Sequence, residues 1–159
     1  MESETADRTL DRQMRGRRFP VQSAALAVGV VFLIVGVLGF IPGITTDYDQ
    51  MGFATFHSMA ALFGVFKVSV LHNLVHLAFG VAGVVLSRTI SWSHLFLIAG
   101  GLVYLVLFFY GLGVNQHSGS NFVPVNTADN WLHLGLAAGM VLLGFGLAPN
   151  SRKSSGKAP

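Results

Sequence analysis

Cysteine is absent from the 159 residues, which excludes disulfides, thiol catalysis and Cys-ligated metals. Charge is nearly as scarce. Charged residues make up 11% of the chain, against about 25% in an ordinary soluble domain. What charge there is collects at the ends. Arg8, Arg12, Arg15, Arg17 and Arg18 crowd the N-terminus, and Arg152, Lys153 and Lys157 lie close to the C-terminus. The formal net charge of +3 therefore belongs to tails, and nucleic acid is not expected as a partner. Basic residues beside a membrane, setting topology and touching anionic lipid, account for it. Catalytic signatures are missing too, and no separate Glu or Asp stands out as a general base.

Between the tails lie apolar runs long enough to cross a bilayer, which takes roughly 20 residues of helix. They define a four-span membrane domain over 21–148, between a basic cytoplasmic tail at 1–20 and a polar tail at 149–159. The spans are predicted at about 21–41, 70–86, 95–114 and 127–148. Pro20 suits the first turn of the first helix, and Pro42-Gly43 ends it. That run is longer than a signal-peptide core and no small-x-small cleavage site follows, so it reads as a retained helix. FATFHSMAALFGVF (53–66) is apolar but too short to span, and is expected as an interfacial or re-entrant segment. His57 and Lys67 belong to the same layer. Ser69 is placed to cap the second span. SRTISWSH reads as a short turn with Arg88 and an interfacial Trp92. Asn126 or Thr127 caps the fourth span, and Pro149 stops it. Lys67 is the only Lys or Arg in the connection between spans 1 and 2, and the loop between spans 3 and 4 has none. A multi-pass protein of the cell membrane with both termini cytoplasmic satisfies this bias.

The chain also repeats itself. GVVFLIVGVLGF (29–40) aligns with GLVYLVLFFYGL (101–112), matching glycines at 29/101 and 39/111 and setting Phe32 opposite Tyr104. LHNLVHL (71–77) is echoed by ADNWLHL (128–134), so Asn73/His76 recur as Asn130/His133, 57 positions on. The predicted fold class is an all-α integral membrane four-helix bundle built from two parallel-repeat helix hairpins, related by an axis along the membrane normal.

The polar residues at the repeat need partners, because unpaired polar groups in hydrocarbon are costly. On a helix, His72, Asn73 and His76 share a face that continues to Gly80 and Gly83, and Asp129, Asn130 and His133 share one that continues to Ala137 and Met140. One reading is a structural clamp between spans 2 and 4, with hydrogen bonds above small residues and His72 set against Asp129. A second reading is a divalent metal on His72, His76, Asp129 and His133, held at i, i+4 spacing, with Asn73 and Asn130 orienting the imidazoles. A third is haem, with His76 and His133 as axial ligands. His94 and His117 are expected to be solvated. Transport is disfavoured, since spans 1 and 3 carry no charged residue. An accessory, non-enzymatic role, in envelope maintenance or stress response, is expected. Its partners would be the lipid bilayer and a second copy or another membrane protein.

The strings HNLVHL, NFVPVNTADNWLHLGL and P-V-Q followed by GVVFLIVGVLGFIPGI resemble domain-of-unknown-function family 4383. The resemblance covers about Pro20–Ala148. It implies small four-helix membrane proteins of bacteria, and carries over no catalytic residue. Where the family tends to place Asn-Pro before the first His pair, this chain has Ser69-Val70.

Overall fold

Pro20 opens the first helix, α1 (Pro20–Leu38), with its fixed backbone angle in the first turn. The structure, a computed structural model, describes residues 18–147. The tail arginines up to Arg17, and Arg152, Lys153 and Lys157, lie outside the described residues. Three more helices follow: α2 (Val70–Leu86), α3 (Ile90–Gly113) and α4 (Thr127–Gly146). α1 and α3, of 19 and 24 residues, are long and apolar enough to cross a membrane, with mean hydropathies of 2.5 and 2.3.

Capping explains where these helices begin. Ser69 Oγ accepts from His72 N at 3.1 Å, Thr89 Oγ1 from Trp92 N at 3.4 Å and Asn126 Oδ1 from Asp129 N at 2.9 Å. The Thr89 cap starts α3 at Ile90, several residues ahead of the predicted 95. The predicted turn SRTISWSH therefore shrinks to Ser87–Thr89, and Trp92 and His94 are helical. α1 ends at Leu38, short of the predicted 41. Phe40 N and Ile41 N bond to Val37 O and Leu38 O, the tighter pattern of a closing turn.

The all-α expectation needs one correction. The connection between α1 and α2 holds a small antiparallel sheet of β1 (Thr45–Thr46), β2 (Ala61–Leu62) and β3 (Phe66–Lys67), in the order β1-β2-β3. Phe63 and Gly64, at φ +54° and +68°, supply the two left-handed steps that turn β2 into β3, Gly64 without steric cost. The apolar segment 53–66 is thus a loop running into this hairpin. Ala60, Leu62 and Val68 are buried beneath it, against Val35 and Leu38 of α1.

Helices α1 and α2 pack as one antiparallel hairpin and α3 and α4 as another, and the hairpins meet chiefly through α1 and α3. The buried face of α1 is Val21, Ala25, Gly29, Phe32 and Gly36. Those steps of three and four residues keep a narrow seam against the neighbouring helices. Glycine and alanine on the seams let backbones approach. A Cβ built on Gly29 would lie 2.8 Å from Val84 N, and one built on Gly101 2.7 Å from Val141 Cγ2. Large apolar side chains point the other way. Val31, Ile34, Val81, Leu102, Val106, Phe109, Leu142 and Phe145 are all exposed.

Candidate functional site

The polar residues singled out by the repeat gather at the sheet end of the molecule. Asn73, Asp129, Asn130 and His133 are at most 5% exposed and His76 is 8% exposed, while His72 is half-buried. Each hairpin positions them in the same way. Asn73, near the start of α2, lies against Gly39 just past the end of α1. Asn130, near the start of α4, lies against Gly111 near the end of α3. In both places a Cβ on the glycine would collide with the amide group, so only glycine leaves room for the asparagine.

One turn further in, each histidine meets an aromatic ring of the preceding helix. His76 packs edge-on to Phe32 at 5.5 Å, and His133 lies tilted to Tyr104 at 5.5 Å. Phe32 and Tyr104 stack on each other at 5.4 Å with 5° between planes. The four rings thus form one chain from α2 through α1 and α3 to α4. Sequence alignment set Phe32 and Tyr104 opposite each other; the structure puts them in contact.

The two halves differ in their hydrogen bonds. His76 Nδ1 pairs with His72 O at 3.0 Å, one turn back, and the two imidazoles stack at 4.5 Å. His133 Nδ1 and Asn130 Oδ1 are buried without a partner among the described residues. The predicted pairing of His72 with Asp129 is corrected by the carboxylate's own bonds. Asp129 Oδ2 accepts from Asn126 N at 2.8 Å and from Lys67 N at 3.1 Å. It closes the reciprocal cap of α4 and holds β3 down on it, turned to backbone amides and not to an imidazole. Asn126 Nδ2 donates to Val65 O at 2.8 Å and completes the clasp.

His72, His76 and His133 separate two apolar cavities. One, of about 210 Å³, lies toward α3 and is walled by Val75, Val103, Tyr104 and Leu107. The other, of about 190 Å³, lies under the sheet, with Asp129 and Leu136 in its wall. Both are smaller than the roughly 300–1,000 Å³ of a typical cofactor site. Among the described residues no three His, Asp or Glu side chains form a group that could hold a metal ion.

Several contributors carried no sequence signal as site residues. Gln22 Nε2 donates to Ser87 O at 3.2 Å and Arg88 O at 2.8 Å, tying the start of α1 to the end of α2. Asn121, fully buried, bonds Gln116 O and Val125 O and so folds the loop before α4. A lone amide opening an apolar run is the one hint that Gln22 offers. Of the remaining histidines, His117 and His57 are exposed. His94, expected in solvent, is half-buried, with its Nε2 enclosed and without a partner among the described residues.

No curated protein and no solved structure matches the chain. Residues 22–146 match the model of the family described as Domain of unknown function (DUF4383), and the chain belongs to that family.

Proposed function

We propose that this DUF4383 protein is a four-span integral protein of the cell membrane, accessory and non-enzymatic, with both termini in the cytoplasm. Its buried His/Asn cluster braces each of the two parallel-repeat hairpins, which the Phe32–Tyr104 stack and the Asp129–Lys67 bond lock together. The observation that carries the reading is the inverted distribution of side chains. Gly29, Gly36, Asn73, His76, Gly80, Gly83, Asn130 and His133 are buried, while Val106, Phe109, Leu112, Leu142 and Phe145 are each more than 60% exposed. In water such a belt of apolar surface would drive association. In lipid it is the ordinary exterior, and small or polar residues between helices supply the contacts.

The sheet and the 53–66 segment sit on the outer face in this reading, where Phe53, Met59 and Phe63, all more than half exposed, meet the interface. The two hairpins then run in the same direction through the bilayer, as the tail arginines and lysines require.

Reporter fusions test the topology. Fusions at Asp49 and Ser118 are expected to report an external location, and fusions at Gln13 and Ser155 a cytoplasmic one. An internal Ser118 would contradict the four-span arrangement and the repeat with it.

A further inference from the structure

The seam between α2 and α3 is the loosest between consecutive helices, and it holds a groove of about 360 Å³ lined by apolar residues such as Ala78, Phe79, Phe96 and Gly100. Val75 and Val103 wall both this groove and the 210 Å³ cavity beside the histidines, so the two spaces adjoin at this pair. Val75, Leu95 and Val103 are each at least 44% exposed, so the groove opens sideways along the helices. The adjoining cavity is lined by His72, His76, Tyr104 and His133. His133 is 3% exposed, and its Nδ1 has no hydrogen-bond partner among the described residues.

We propose that the groove and cavity together bind a prenylated quinone, ring inward among the histidines and tail along the α2–α3 seam. This rests on the membrane reading above, because a sideways opening admits ligand only from lipid. Three features select the class. The linings of groove and cavity contain no Asp, Glu, Lys or Arg, so a fatty acid or phospholipid headgroup would bring a charge with no counter-charge. The polar side chains of the cavity are three imidazoles, the Tyr104 phenol and the Ser69 hydroxyl, neutral partners for a ring carbonyl. The cavity lining combines aromatic rings with Leu71, Val75, Val103, Leu107 and Val123, and aromatic faces stack on a flat ring. A space of about 210 Å³ suits a single substituted ring, and the groove offers the room for its tail.

The test uses the full chain in mild detergent, with decylubiquinone as probe and native mass spectrometry counting bound molecules. Saturable binding of one decylubiquinone per chain is expected, undiminished by equimolar dodecanoic acid. Val103→Trp, which fills the junction of groove and cavity, is expected to weaken binding at least tenfold. Tyr104→Phe is expected to weaken it a few-fold. Val106→Trp, on the outward face of α3 at 68% exposure, is expected to leave it unchanged. Binding that never saturates, equal displacement by dodecanoic acid, or undiminished binding by Val103→Trp would overturn the proposal. The reporter fusions on the wild-type chain read the membrane topology independently, so an absent quinone site and a wrong topology give different results.

Discussion

Phe32 and Tyr104, 72 positions apart, lie ring on ring at 5.4 Å and almost parallel. Each also touches the histidine of its own hairpin, so the pair joins two copies of one local arrangement. Around it the same tiers recur. A glycine accepts an asparagine at the sheet end, an aromatic ring meets a histidine one turn in, and Gly29 or Gly101 closes against the partner helix deeper still.

The asparagine-on-glycine contact predicts a position-specific cost. Gly39→Ala and Gly111→Ala place a methyl against the amide of Asn73 or Asn130. Each is expected to destabilise the protein by about 1–3 kcal/mol, the usual cost of overpacking. Gly135 and Gly139 of α4 have open space at the same distance, and alanine there is expected to be neutral or slightly stabilising, through better helix propensity. Unfolding in mixed micelles by a denaturing detergent ranks the four variants. Equal effects at all four would contradict the tiered arrangement.

Asp129 makes a second prediction, because its carboxylate serves two backbone amides on different elements. Asp129→Ala removes the reciprocal cap of α4 and leaves Lys67 N without its acceptor. A loss of roughly 1–3 kcal/mol is expected for an unsatisfied buried donor. Asp129→Asn keeps an acceptor oxygen and is expected to cost less. Hydrogen exchange locates the effect: the amide of Lys67 is expected to lose protection in Asp129→Ala, while amides in the middle of α2 keep theirs. An unchanged Lys67 amide would show that β3 does not hang on this carboxylate.

Much of this arrangement was legible in the sequence, and the exceptions share a cause. Four helices, the caps at Ser69 and Asn126 and the glycine matches at 29/101 and 39/111 follow from local pattern. The faces carrying Asn73/His76 and Asn130/His133 follow from helical spacing. The sheet did not, since its strands are two residues long, too short to show an alternation. Asp129 was misread because charge complementarity pointed to His72, whereas nearby backbone N–H groups compete for a carboxylate at a helix start. Gln22 reaches the carbonyls of Ser87 and Arg88 across a helix pair, a contact that depends on tertiary placement. The lack of cysteine, read first as an exclusion, has an experimental use: engineered cysteines need no background removed.

The most direct measurement of the hairpin junction is therefore cross-linking in native membranes between Phe32→Cys and Tyr104→Cys, introduced together. A short bis-maleimide is expected to join them within one chain, so that cleavage of the α1–α2 connection around Asp49 leaves the two fragments connected. The outward-facing pair Ile34→Cys and Val106→Cys, at 51% and 68% exposure for the native residues, is expected to give no intrachain link. Efficient linking of the outward pair, with none between positions 32 and 104, would mean that the hairpins of one chain do not meet through these faces.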